Sequence, residues 1–200
     1  RFNTYLGLAI VSSLYGQAGL AMAAIIMAVK IPVLNFLSVW ALASGQQLSP
    51  WQMAKPIMKN PLIQACLVGI VLNLSGIGLP LGSDRLIGML GAGSLPLGLL
   101  CVGAALQPAH LLGERSVLLI NSLAKLLLVP AAVAVLAWLL GVPAQAAALV
   151  IIFFALPTAP TAYILTRQMN GDSSLMAGLI TMQTLLAVFS LPLVLGLLPS

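Results

Sequence analysis

An apolar run long enough to cross a bilayer, residues 144–168, is interrupted at its centre by Leu156-Pro157-Thr158-Ala159-Pro160-Thr161. Each proline removes a backbone donor, and its ring crowds the preceding turn. In hydrocarbon the carbonyls freed in this way need partners. A helix broken at mid-depth is therefore tolerated only inside protein or beside a water-filled cavity. One proline alone predicts a kink, since prolines are commoner in membrane helices than in soluble ones. Two prolines three residues apart, each followed by threonine, predict an unwound segment. Interrupted membrane helices point to the binding sites of secondary transporters.

Composition agrees with a membrane setting. The chain is 61% hydrophobic and 6% charged, against about 25% charged in soluble domains. A soluble fold is excluded, and an all-α integral membrane protein is expected. The net charge of +5 comes from scattered basic residues that form no stripe, so nucleic acid is not an expected partner. Cys66 and Cys101 lie in apolar runs and read as small core residues, not as a disulfide or metal site. The single histidine, His110, lies in a polar loop, so no histidine metal cluster and no cofactor is expected. The chain opens on Arg1 without a signal-peptide pattern, and we expect it to be the C-terminal part of a longer protein.

A spanning helix needs about 20 apolar residues. Residues 3–15 fall short, end at Gly16-Gln17, and read as the second half of a span. Residues 18–44 make a full span that contains Lys30, Pro32 and Asn35, and residues 45–60 are a polar loop with Trp51 at the interface. Asn60-Pro61 starts a helix that runs to about Ser75 and closes at Gly76 and Gly78. Ser83-Asp84-Arg85 opens the span 86–106, which carries Gly88, Gly91, Gly93, Gly98 and Gly103. Small residues let membrane helices approach, so this helix is expected to be internal. Residues 116–140 form another span, Gly141-Val142-Pro143 a turn, and residues 144–168 the broken helix. Asn170-Gly171 stops it, and Asp172 or Ser173 caps a last span that ends near Leu198. That makes six full spans and one partial span.

With the 45–60 loop cytoplasmic, alternation places Arg1, Lys55, Lys59, Arg115 and Arg167 inside and only Arg85 outside. The positive-inside rule supports that orientation, with the C-terminus external.

The chain also matches itself. With Asn3 set on Thr158, Gly16 falls on Gly171, Gln17 on Asp172 and Leu20 on Leu175. Both stretches read as half-helix, glycine stop, polar cap and long apolar helix. An odd number of spans separates them, so the copies run in opposite directions, as in inverted-repeat transporters. Residues 1–44 then end a first repeat, 45–60 form the cytoplasmic loop, and 61–200 form a second five-helix repeat. About three and a half helices are expected before Arg1 on this pattern.

The stretch ALPTAPTAYILTRQMNGD, followed by LMAGLITMQTLL, resembles the auxin efflux carrier family, specifically its bacterial organic-acid, malonate-type branch. The N-terminal NTYLGLA…LYG resembles that family's fourth helix, and GAAL at 103–106 the end of its seventh. The resemblance covers the whole chain in register, as the C-terminal two thirds of a ten-helix protein. It implies an inverted-repeat fold whose fourth and ninth helices are broken and cross at mid-membrane, where a small organic anion binds. Pro157 matches the crossover proline of the ninth helix. Asn3 matches an asparagine of the fourth helix that helps bind substrate in the plant auxin exporters. Phe2 stands where those exporters have a proline, and Ala9 replaces a further proline of a Gly-x-Pro pattern. The break is therefore marked more firmly in the second crossing helix than in the first.

The candidate substrate residues are Asn3, Thr4, Pro157, Thr158, Ala159, Pro160 and Thr161. A carboxylate at mid-membrane needs donors, and an unwound segment offers backbone N–H groups and a positive helix end at the start of the half-helix 161–168. The Asn3 amide and the threonine hydroxyls add directed bonds, unless the hydroxyls bond their own helix. Lys30 lies about 12 residues into its span, roughly 18 Å from its start, and is a candidate charge partner or a lysine bonded to carbonyls freed by Pro32. Lys125 is nearer a helix end and is expected to snorkel. Asn35, Asn73, Asn121 and Gln183 read as interhelical amides, with Asn73 and Gln183 second-rank lining candidates.

The expected function is secondary transport of small organic anions such as malonate, malate or auxin-like carboxylates, by alternating access around the crossover. The alternative is a sodium-coupled bile-acid-type symporter of similar architecture. The three acids, Asp84, Glu114 and Asp172, all lie at helix ends, which argues against sodium ligands within the spans and against an intramembrane enzyme. The expected setting is a bacterial inner membrane. The expected partners are the anion, the bilayer and, as an assembly, a second copy in a homodimer.

Overall fold

The computed structural model describes residues 1–43, 61–76, 78–79, 82–112 and 115–198. The expected loop over residues 45–60, with Trp51, Lys55, Lys59 and Asn60, lies outside them, as does Glu114. Among the described residues there are helices and turns and no strand. The helices are α1 Thr4–Ala43, α2 Pro61–Leu74, α3 Ser83–Ala104, α4 Arg115–Leu123, α5 Val129–Leu139, α6 Ala144–Ala155, α7 Thr161–Gln168 and α8 Ser173–Gly196. A 3-10 turn, Pro108–Leu112, precedes α4, and a π-helical turn, Ala124–Leu128, joins α4 to α5. Among the described residues, four stretches are long and apolar enough to cross a membrane: Thr4–Ser38, Ser83–Ala104, Arg115–Leu139 and Ser173–Gly196. The fold is that of an all-α membrane protein.

The stops follow from local chemistry. Gly16, inside α1, has φ 58 and ψ −148, so the expected stop is a kink joining two helical pieces. α5 and α7 end alike. Beyond α5, Gly141 is left-handed; its N–H donates to Trp138 O at 3.2 Å, and Val142 N–H donates to Ala137 O at 2.9 Å. Beyond α7 the left-handed residue is Asn170, φ 54; its N–H donates to Arg167 O at 3.2 Å, and Gly171 N–H donates to Thr166 O at 2.8 Å. Both pairs of bonds satisfy terminal carbonyls that a helix end leaves open. Asp172 then caps α8, its Oδ1 accepting from Leu175 N–H at 2.8 Å.

Two compact units are formed, Arg1–Ala23 with Leu99–Ser200, and Ala24–Gly98. In the first, α6 is the central element: seven of its twelve residues are buried, with Leu149, Ile152 and Phe153 fully enclosed. Gln107 N–H donates to Thr181 Oγ1 at 2.9 Å and ties the segment after α3 to α8. Outward-facing side chains are large and apolar, among them Trp138, Phe189 and Leu197. That inverts the surface of a soluble protein and suits a hydrocarbon surround.

In the second unit Asn35 is buried and Ser38 Oγ donates to Leu34 O at 2.6 Å. Within this unit a Cβ at Gly88, Gly91 or Gly93 would meet nothing within 4 Å among the described residues. Two readings need correction. Cys101 is an exposed free thiol, not a core residue. Asn121 is exposed and donates to Val117 O of its own helix at 2.9 Å rather than to another helix among the described residues.

Candidate functional site

The break lies between α6 and α7, over residues 156–160. Leu156 precedes proline and is extended, with ψ 143, because the proline ring excludes the helical region for its predecessor. In an uninterrupted helix Thr158 N–H would donate to Phe154 O. Here side chains from other helices replace that bond at both ends. Thr158 N–H and Oγ1 both donate to Gln183 Oε1 of α8, at 2.9 and 2.8 Å. Phe154 O accepts from Lys125 Nζ of the π-helical turn at 3.0 Å. A further carbonyl within the break, Pro157 O, accepts from Asn3 N–H at 2.9 Å. Three separate elements thus supply the groups that a broken helix needs in a medium without water.

The segment from Arg1 to Asn3 meets the break directly. Asn3 is the N-cap of α1: its Oδ1 accepts from Leu6 N–H at 3.2 Å. With its N–H on Pro157 O, the residue is locked at both the cap and the break. Asn3 is 1% exposed, and its Nδ2 is buried with no hydrogen-bond partner. A buried donor without a partner is rare enough to call for a cause, such as a ligand position. Two contacts hold the crossing close. Phe2 packs edge-on against Phe153, ring centroids 5.6 Å apart at 80°. At Gly7 an added Cβ would come within 2.6 Å of Leu156 Cδ1 and 3.0 Å of Phe153 Cε1. Phe2 anchors the segment by this edge-on contact.

Asn3, Pro157 and Thr158 are brought together with Gln183. Both Thr158 donors are engaged by Gln183, which is 4% exposed. A backbone N–H can only donate, so it fixes Oε1 toward Thr158 and turns the Gln183 NH2 away. The expected row of free amides at the start of α7 is shorter than anticipated. Ala162 N–H donates to Ala159 O at 2.9 Å, and Tyr163 N–H to Pro160 O at 3.1 Å, closing tight turns. Thr161 is exposed, Ala159 is buried, and Thr4 and Pro160 are half-buried. Lys30, half-buried, and Asn73, exposed, belong to the second unit.

Sequence reasoning missed two cations at the break. Lys125 does not snorkel to an end of its helix; it bonds the carbonyl at the break. Arg1, counted only for orientation, donates from its Nη1 to Thr161 O at 3.3 Å. The signal for Lys125 was present, as an ionisable residue inside a span. What hid its role was the π turn, which no sequence period announces.

An apolar recess of about 550 Å³ is lined by Leu127, Trp138, Val142, Ile151, Leu193 and Leu197. It has no residue of the break in its wall. A smaller one, about 90 Å³, is walled by Pro160 and Tyr163 together with Gln107 and Ala177, room for about three waters. No group of three metal-ligating side chains comes together among the described residues.

A family model described as membrane transport protein matches residues 47–195. No curated protein sequence and no solved structure matches the chain.

Proposed function

The chain belongs to the membrane transport protein family, that of the auxin efflux carriers, and we propose that it carries small organic anions through the crossover of α1 with the 156–160 break. Malonate, malate and auxin-like carboxylates are the substrate class, and a bacterial inner membrane is the setting. The carrying observation is the Asn3 N–H bond to Pro157 O, which fixes a buried, unpartnered amide donor against an unwound helix. A carboxylate bound there accepts from Asn3 Nδ2. The Gln183 NH2 and the N-terminal ends of α1 and α7 add directed bonds and positive dipole ends. Asn3, Thr4, Pro157, Ala159, Pro160 and Thr161 form the site, and Thr158 acts by orienting Gln183.

Transport then follows from rocking one group of helices against the other around this point, as inverted-repeat carriers do. The membrane potential acts on the anion at about 2.3 kcal/mol per charge per 100 mV, sufficient to drive export from a negative interior.

The test is uptake by the full-length protein in liposomes, with labelled malonate, malate, lactate and indole-acetate supplied in turn. Saturable uptake of at least one acid, lost on Asn3→Ala, is the expected result. Transport of none of the four contradicts the reading.

A further inference from the structure

We propose that Lys125 is a fixed positive charge at the α6 end of the crossover, beside Arg1 at the α7 end, and makes the crossover selective for anions, an inference that rests on the crossover being the substrate site. Three observations carry it. The first is position. Lys125 Nζ lies 3.0 Å from Phe154 O, the carbonyl whose helical partner, Thr158 N–H, has been taken by Gln183. The ammonium therefore sits where the unwound segment begins.

The second is stoichiometry. An ammonium has three donors, and one carbonyl uses one of them. A glutamine or serine could satisfy that carbonyl without placing a charge inside an apolar span, which is expensive. No acid of this chain lies within a span to answer the charge: Asp84 and Asp172 stand at the starts of α3 and α8, and Glu114 precedes α4.

The third is the local field. The break gathers three helix ends: the positive ends of α1 and α7 and the negative end of α6. Each is equivalent to roughly half a charge. Lys125 bonds a carbonyl at the negative end of α6. It therefore cancels the one unfavourable end and leaves the whole crossover positive. The π-helical turn Ala124–Leu128 shapes this placement, since Val129 N–H donates back to Ala124 O and widens the turn that carries Lys125. π turns inside helices occur frequently at functional sites.

The chemistry that would recognise this charge is a carboxylate. Its neutral primary amide has the same shape without the charge, which gives a direct experiment. Full-length protein in liposomes is assayed for uptake of labelled malonate, with unlabelled malonate or malonamide as competitor. Wild type and Lys125→Arg are expected to be inhibited by malonate and not by malonamide at equal concentration. Lys125→Gln keeps a donor for Phe154 O. It is expected to insert and fold but to lose about ten-fold in apparent affinity for malonate, with malonamide now competing comparably. If Lys125→Gln keeps the wild-type preference, Lys125 serves only the carbonyl and the inference is overturned. If that variant fails to insert, Lys125→Arg decides alone, since loss of acid-over-amide preference with the charge retained overturns the inference and its retention supports it. Where wild type carries another of the four acids instead, that acid and its neutral amide take the place of malonate and malonamide; transport of none of the four overturns this inference together with the substrate assignment. Intact wild-type uptake with an unaltered Lys125→Gln variant overturns this inference only.

Discussion

At Pro130 the helical run Arg115–Leu139 loses a backbone donor and continues; at Pro157 the run over residues 144–168 loses a donor and opens. The contrast lies in who supplies the replacement bonds. Before Pro130 the helix adjusts within itself, by the π turn Ala124–Leu128 and the Val129 N–H bond to Ala124 O. Pro32, Pro96 and Pro192 also sit inside helices that run on. At the break a second proline follows, so the donors owed to the carbonyls of residues 153 and 156 are both withdrawn. The segment no longer repairs itself. Gln183, Lys125 and Asn3, from three other elements, pair the neighbouring groups Thr158 N–H, Phe154 O and Pro157 O. An isolated proline is a local matter, whereas a proline pair with tertiary partners is a built opening. Lys125 joins the two regions, because it rides on the π turn and bonds the break.

The largest effect expected to break this comparison is Gln183→Leu. It leaves Thr158 N–H and Oγ1 without their acceptor in a buried place, at about 3 kcal/mol. Thermal unfolding in detergent should show a clear loss of stability, and Gln183→Glu, which keeps the acceptor, should recover most of it. A Leu variant as stable as wild type would mean the break needs no partner from α8. Gly7→Val comes next. The close approach to Leu156 and Phe153 leaves no room for the added atoms, so about 2 kcal/mol should be lost through overpacking. Unchanged stability would show that the crossing can widen. Asp172→Ala removes an N-cap away from the crossover and should cost about 1 kcal/mol of stability while leaving uptake near the wild-type level. Smallest is Pro130→Ala, where the helix already repairs itself. Stability should change by less than about 1 kcal/mol. A large drop in uptake with unchanged stability would show that the π turn sets the position of Lys125.

Much of the fold was legible because its punctuation is chemical. Gly16, Gly141 and Asp172 stop or cap helices for reasons visible in single residues, and the Pro157–Pro160 pair announces its own opening. Asn3 was legible through its alignment with Thr158 and through family resemblance. Other features were hidden because they depend on partners distant in sequence. Nothing near Thr158 reveals that its donors go to Gln183. Nothing near Lys125 reveals a carbonyl released 29 positions later.

The most direct test of the crossover as a binding site is uptake by Asn3→Asp in full-length protein. Aspartate keeps the Oδ1 that caps α1 and replaces only the buried, unpartnered NH2 with an anionic oxygen. Uptake of every acid that wild type transports should fall at least about ten-fold; because a buried charge also costs stability, uptake is compared at equal amounts of inserted, folded protein. Uptake equal to wild type would show that Asn3 Nδ2 meets no substrate, and would contradict the placement of the site at Asn3 and Pro157.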